Sequence, residues 1–298
     1  MNIKIGDLVT RPSYQRDLLF RVISINQDEA GAIYATLFGE DVRLIADAPF
    51  SDLEVVSEQE KKKRQHEEDQ RLERSLALIK QDYNLSRQKS EYEMTNGYSH
   101  THDLFQLPGK VLHIDGDPNY LNKCLLLYEK IGIPVYGIHC LEKEMPEKVP
   151  QLVKEVRPDI LVLTGHDAYS KSKGRKTDLI AYRHSRYFVK TVREIRAQMP
   201  NLDQLVIFAG ACQSHFESLI QAGANFASSP SRVNIHALDP VYIVSKISFT
   251  PFTDYINVWD VLRNTLTGAK GLGGVETKGL LRTGMPYQQH DDEEEQSL

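Results

Sequence analysis

From residue 109 onward the chain repeats one pattern: a short, continuous apolar run, then a segment with helical spacing, then another apolar run. Val111-Leu112-His113-Ile114-Asp115, Val135-Tyr136-Gly137-Ile138-His139, Ile160-Leu161-Val162-Leu163-Thr164 and Leu205-Val206-Ile207-Phe208-Ala209 read as strands. Residues 120–131, 147–156, 179–198 and 214–221 read as the helices between and after them. Strands that are apolar at every position must be buried on both faces. With helices between them, that predicts an α/β domain over residues 109–285, built on a parallel or mixed sheet flanked by helices. After Ala224 the pattern predicts further strands at 225–228 and 241–245, then a helix at 257–267.

The segments before it differ. Residues 1–57 hold four short apolar runs, at 3–10, 18–25, 32–38 and 42–45. Turn residues separate them, including Arg11-Pro12-Ser13 and Gly39-Glu40-Asp41. This predicts a small β-barrel of SH3-like size, read as a protein-binding module. In residues 58–74, 12 of 17 are charged, six of each sign, and Leu72, Leu76, Ile79 and Tyr83 follow at helical spacing. A charged, solvated linker helix is expected to about residue 90, with loop from 96 to 108, so that residues 58–108 form a helical linker.

The net charge of -5 sits in the run Asp291-Asp292-Glu293-Glu294-Glu295, without which acidic and basic residues balance at 36 each. Residues 286–298 are therefore expected to be an acidic, self-repelling tail. A neutral body gives no footprint for nucleic acid. No apolar run approaches the roughly 20 residues of a membrane span, and no secretory signal is apparent, so a cytoplasm-like location is expected. The three cysteines, Cys124, Cys140 and Cys212, are too few for a disulfide framework and leave room for a reactive thiol. Cys124 and Cys140 read as core residues.

Two strands end in groups able to do chemistry. The third runs into Thr164-Gly165-His166-Asp167 and the fourth into Gly210-Ala211-Cys212-Gln213-Ser214-His215. Consecutive parallel strands joined by one crossover usually lie side by side. His166 and Cys212, 46 residues apart, would then share the carboxyl edge, where ligands of open α/β sheets bind. An imidazole can take the proton of a thiol that is otherwise mostly protonated at neutral pH, giving a nucleophilic thiolate. A short helix after Cys212 would favour that charge. Gly210 permits the sharp turn, and the Cys212 amide with one near His166 could hold an oxyanion. The bland alternative is a buried cysteine and a structural histidine. A metal site of Cys212, His215 and His166 lacks a second cysteine pair or an HExxH motif. The dyad calls for no cofactor. His184 and His236 read as surface or structural residues, and Gly271-Leu272-Gly273-Gly274 as a turn without the following Gly-Lys-Ser/Thr of a P-loop.

An apolar block ending in His, then about fifty residues later an apolar block ending in Ala-Cys, resembles the caspase-like cysteine peptidases. Their histidine is usually followed by glycine; here Gly165 precedes it and Asp167 follows, so the second oxyanion amide would fall on Asp167. A closer resemblance, over nearly the whole chain, is to the YabG peptidase family of spore-forming bacteria. It is carried by Lys4-Ile5-Gly6-Asp7 and the run from Asp41 to Asp47. It is carried most specifically by the runs Thr164 to Lys171 and Phe208 to Ser218, and also by Asn225 to His236.

That resemblance implies a cysteine endopeptidase that processes spore coat and coat-morphogenetic proteins during sporulation. The dyad would be His166 and Cys212, working in the mother cell and in association with the coat. The caspase-like resemblance implies that Asp115 and Asp117 line the pocket for the residue before the scissile bond, favouring Arg or Lys. It implies that Ser228, Ser229 and Arg232 flank the substrate backbone as an added strand. A plain Asp-Gly-Asp-Pro turn and a plain loop are the alternatives. With a basic preference, the exposed run from Lys171 to Lys176 becomes a candidate self-cleavage site. Competing functions are a class I glutamine amidotransferase, which also needs a downstream His-x-Glu that His236-Ala237-Leu238 does not supply, and a non-catalytic coat scaffold.

Overall fold

The computed structural model describes residues 3–28, 31–96 and 104–284. The expected acidic tail lies outside the described residues.

Five antiparallel strands form the N-terminal sheet: β1 (Leu8–Thr10), β2 (Phe20–Gln27), β3 (Ile33–Gly39), β4 (Ile45–Pro49) and β5 (Glu54–Val55), in the order β4-β3-β2-β1-β5. Alternate residues such as Phe20, Val22, Ala35 and Leu37 close a small core of their own. The expected strand over 42–45 is corrected. Val42 and Arg43 leave the sheet and meet the body of the protein, with Arg43 fully buried there, while Leu44 packs back on the small core.

Helix α1 (Glu58–Thr95) runs for 38 residues. Ser57 caps it, its side chain accepting from the Glu60 amide at 3.2 Å. It is not a solvated linker. Leu76 and Ile79 are buried in the main core, Leu72 and Tyr83 pack beside them, and the Tyr83 ring lies 4.5 Å from that of Phe249. Each fully buried aliphatic side chain is worth about 1.5–3 kcal/mol, enough for a weak stripe to dock a polar helix.

The body follows. Strand β6 (Phe105–Leu107) replaces part of the expected loop. Then come β7 (Val111–Asp115), α2 (Pro118–Ile131), β8 (Val135–His139), α3 (Met145–Val156), β9 (Ile160–Thr164), α4 (Ser185–Gln198), β10 (Val206–Ala209), α5 (Phe216–Gln221) and β11 (Phe226–Ser228). After these lie α6 (Asp239–Phe249), β12 (Tyr255–Ile256), α7 (Val258–Leu262), β13 (Leu272–Gly274), β14 (Thr277–Lys278) and β15 (Arg282–Gly284). The main sheet is six-stranded, ordered β13-β11-β10-β9-β7-β8. All neighbours are parallel except β13, which pairs antiparallel with β11. The fold is therefore α/β, with a mixed sheet flanked by helices. β7, β9 and β10 are buried at every position, including His113 and Asp115 of β7.

Four boundaries differ from expectation. Residues 241–245 belong to α6, which is buried almost throughout. A helix with no wet face shows no 3.6-residue alternation, and its Val-Tyr-Ile-Val run mimics a strand. Helix α4 begins at Ser185, because residues 179–181 form a separate turn of 3-10 helix. The Gly271–Gly274 region is an edge strand rather than a turn. The expected helix at 257–267 shortens to α7.

Strand order reverses between β7 and β9: from β7 the chain moves out to β8, then returns to β9 on the other side. The loops after the two strands therefore splay apart at their carboxyl ends and leave a crevice.

Candidate active site

That crevice is a cleft of about 880 Å³ whose walls include Gly116, Asp117, Glu142, His166, Lys173, Tyr182 and His184. Gly116 and Asp117 follow β7, and His166 follows β9. Glu142 comes from the turn after β8. The His166 ring is mostly buried but borders the cleft. Its Nε2 stands 3.5 Å from Asp117 Oδ2 and its Nδ1 3.7 Å from Glu142 Oε1. Its amide donates to Glu142 Oε1 at 2.7 Å.

Glu142 was not among the residues singled out from the sequence, yet its carboxylate gathers this corner. His184 Nδ1 lies 3.6 Å from Glu142 Oε1 and 2.7 Å from the His166 carbonyl. Burial alone would raise the Glu142 pKa. Hydrogen bonds from His166 and His184 outweigh it and hold the carboxyl well below the usual range. A Cβ on either Gly116 or Gly165 would collide with that carboxylate. The one available sequence signal was a carboxylate just past a strand end, with glycines after both neighbouring strands.

Cys212 lies on the adjacent strand-end loop, since β10 pairs with β9 from Val206↔Ile160 to Ala209↔Leu163. The loop turns sharply. Gly210 has φ +110° and Gln213, a non-glycine residue, has φ +57°. Such left-handed residues cost about 1–2 kcal/mol and persist only where their surroundings fix them. Gln213 is fixed by its amide on the Val233 carbonyl at 3.0 Å and by its side-chain oxygen, which accepts from the Tyr169 amide at 3.2 Å. The Cys212 thiol is fully buried, and its Sγ accepts from the Ile235 amide at 3.3 Å. Burial pushes the thiol up to about 12, with the Ile235 amide and Arg43 acting against it. Helix α5 begins at Phe216, four residues beyond Cys212, so the thiol is not at a helix N-terminus as expected.

Asp167 couples the two loops. Its carboxylate accepts from the Ser214 hydroxyl at 2.9 Å, from the His184 amide at 2.8 Å and from the Ser185 hydroxyl. Burial raises its pKa, and these hydrogen bonds oppose the rise.

The remaining expected site residues divide. Asp117 caps α2, accepting from Asn119 and Tyr120 amides at 2.8 and 3.2 Å, while also facing His166. Asp115 lies below it, fully buried, with Oδ2 2.6 Å from Arg43. Ser228, Ser229 and Arg232 are engaged with the chain itself. Ser228 donates to the Ala211 carbonyl and Ser229 to that of Val233, both at 2.7 Å. Arg232 donates to the Tyr182 hydroxyl at 2.6 Å and pairs with Glu217. These three brace the strand-end turns, and none borders the His166 cleft. His236 pairs with Glu68 of α1 at 2.9 Å, with Nδ1 taken by the Leu238 amide at 3.1 Å. Among the described residues no cluster of His, Cys, Asp and Glu is arranged to hold a metal ion.

The model of the YabG peptidase U57 family matches residues 4–286. The chain belongs to the YabG peptidase U57 family. It is 63% identical over 287 residues to the sporulation-specific protease YabG of Bacillus subtilis (strain 168), covering 96% of this chain and 99% of that one. Family membership makes the chain a peptidase and makes proteins its substrates. Among solved structures, a crystal structure of NtrX from Brucella abortus is similar over 48% of this chain and 27% of that one, at 14% identity and a TM-score of 0.30. So low a score carries no argument. No helix among the described residues is long and apolar enough to cross a membrane.

Proposed function

We propose that the chain is a cysteine endopeptidase of sporulation, with Cys212 as nucleophile and His166 as general base. Its proposed substrates are spore coat and coat-morphogenetic proteins, cut after basic residues. The observation that carries the reading is the pairing of β9 with β10, whose next loops hold His166 and Cys212 beside the reversal of strand order. The mixed sheet with this pair of loops also supports a caspase-like architecture, and the five-stranded N-terminal sheet an SH3-like module. The relative from B. subtilis, named a sporulation-specific protease, supports a role in sporulation; the proposed setting within it is the mother cell, in association with the coat.

In this mechanism the Cys212 proton passes to His166 and the thiolate attacks the scissile carbonyl carbon. The C–S bond forms as the carbonyl pair moves to oxygen, held by the Cys212 and Asp167 amides. Collapse breaks the C–N bond, and the leaving amine takes the proton from His166. Water, giving a proton to His166, then cleaves the thioester and restores the thiol. Asp117 and Glu142, on either side of the ring, would hold it in place. Asp115 would receive a substrate guanidinium or ammonium at the base of the site. The basic, largely exposed run from Lys171 to Lys176 is the proposed self-cleavage loop.

Digestion of a spore coat extract by wild type and by Cys212→Ala, with new termini mapped by mass spectrometry, tests this. New termini after Arg or Lys with wild type alone are expected. Equal digestion by both proteins would leave Cys212 a core thiol. No digestion by either would move the scaffold and amidotransferase readings ahead.

A further inference from the structure

Arg43 belongs by sequence to the N-terminal sheet, but its side chain is buried in the body with no exposed surface. Its Nη1 is 2.6 Å from Asp115 Oδ2, and its Nη2 donates to the Ala237 carbonyl at 3.0 Å and toward Cys124 Sγ at 3.4 Å. The guanidinium carbon lies 5.1 Å from the Tyr120 ring centre. Nε is buried without a partner. A charge removed from water costs several kcal/mol, and a pair anchoring two units could be formed more cheaply at the surface.

The backbone around Arg43 makes a single antiparallel bridge to the loop after β11. Val42 bridges His236 antiparallel, the Ala237 amide donates to the Asp41 carbonyl at 2.8 Å, and the Arg43 amide donates to the Ile235 carbonyl at 3.4 Å. Such main-chain pairing is the kind of contact by which extended peptides are held in recognition sites. Ile235 is also the residue whose amide is bound by Cys212 Sγ. Two residues after Arg43, Ile45 enters the wall of the cleft that His166 borders. Chain 41–45 therefore runs along that loop, past the thiol and into the cleft, with an arginine side chain held by a carboxylate beneath. It is also bent: the Leu44 amide donates back to the Val42 carbonyl at 2.8 Å, a tight turn around Arg43 rather than an extended path through it.

We propose that residues 41–45 are an internal pseudosubstrate. Arg43 fills the pocket that takes the basic side chain of a protein substrate, and the tight turn keeps its peptide bond out of line for attack, so the plugged state is inactive and wild type cuts only through the fraction in which the segment is displaced. The inference rests on the peptidase reading of Cys212 and His166, and it identifies the pocket as Asp115, the Ala237 carbonyl and the Tyr120 face. It assigns the N-terminal sheet a role as a cis-acting plug, lifted when the segment is displaced.

The test is ligand binding and needs no turnover, so its failure is separate from any failure of Cys212 to cut coat protein. Full-length Arg43→Ala in a Cys212→Ala background is titrated with N-acetyl-arginine amide, and the unfolding midpoint is followed. A saturable rise of a few degrees is expected, absent when Arg43 is intact and absent when Asp115→Asn is added. With Cys212 restored, Arg43→Ala should cleave an arginyl peptide about tenfold faster than wild type or more, since a competing state is removed. A folded variant whose midpoint ignores the ligand would overturn the proposal. So would loss of folding in both Arg43→Ala and Arg43→Met that the ligand does not relieve, since the ion pair would then be purely structural.

Discussion

The Ser214 hydroxyl donates to Asp167 Oδ2 across 2.9 Å, tying the loop after Cys212 to the loop after His166. The same carboxylate takes the Ser185 hydroxyl and the His184 amide at the start of α4. One buried group thus fixes the spacing of two residues that lie on the loops after separate strands.

Asp167→Ala should therefore lower both stability and activity. It leaves several buried donors unpaired, at roughly 1–3 kcal/mol each, so a total loss of about 3 kcal/mol or more is expected in urea denaturation. Asp167→Asn, which keeps one acceptor oxygen, should lose less. A variant as stable as wild type would refute the coupling.

The His184–Glu142 pair predicts a pH dependence. Burial lowers the His184 pKa, but the hydrogen bond and charge of Glu142 outweigh it, so the net shift is upward. Its contribution is complete below the ordinary histidine value of about 6.5 and is lost as pH rises through the raised folded value. Glu142, with its pKa depressed, contributes above about 4.3 and loses that contribution as pH falls toward its folded value. Unfolding midpoints from pH 5 to 9 should decline more steeply for wild type than for Glu142→Gln. Parallel curves would show the pair to be inert.

Gly165→Ala tests the close approach of Glu142. The added Cβ meets that carboxylate, which must move and release the His166 amide. Activity should fall by about tenfold or more while thermal stability falls only modestly, because the strained atoms lie at the cleft and not in the core. Unchanged activity would mean that Glu142 yields without disturbing His166.

Helix α1 is predicted to be held on the body by Asp82. That carboxylate accepts from Lys246 at 2.9 Å, Arg263 at 3.0 Å and Asn264 at 3.1 Å. Asp82→Ala should cost about 1–3 kcal/mol and raise hydrogen exchange along residues 72–83. A change confined to the substituted residue would show that the apolar contacts hold the helix alone.

Local pattern was enough to determine much of this protein. The largely apolar runs of β7, β9 and β10 follow from burial on both sheet faces. The single crossover between β9 and β10 made them neighbours, and that put residues 166 and 212 on adjacent loops. What local pattern could not carry was decided by contacts between distant segments. Helix α6 hid among strands because burial on every side erases the periodicity that marks a helix. Leu72, Leu76, Ile79 and Tyr83 were visible as a stripe, but only the apolar surface of the body opposite them turned a solvated helix into a docked one. Glu142 carries no motif; it matters because the turn after β8 delivers it against two glycines from other loops. Ser228, Ser229 and Arg232 were legible by position, while the hydrogen bonds that hold their side chains within the chain were not. Arg43 reads as a polar interruption in a strand, and its burial against Asp115 exists only because a loop of the small sheet reaches 72 residues along the chain to a charge at a strand end. Spacing along the chain sets what each segment can form. Which charges and apolar faces meet is set by packing, where the cost of burying a group can be met only by a partner the local sequence does not contain.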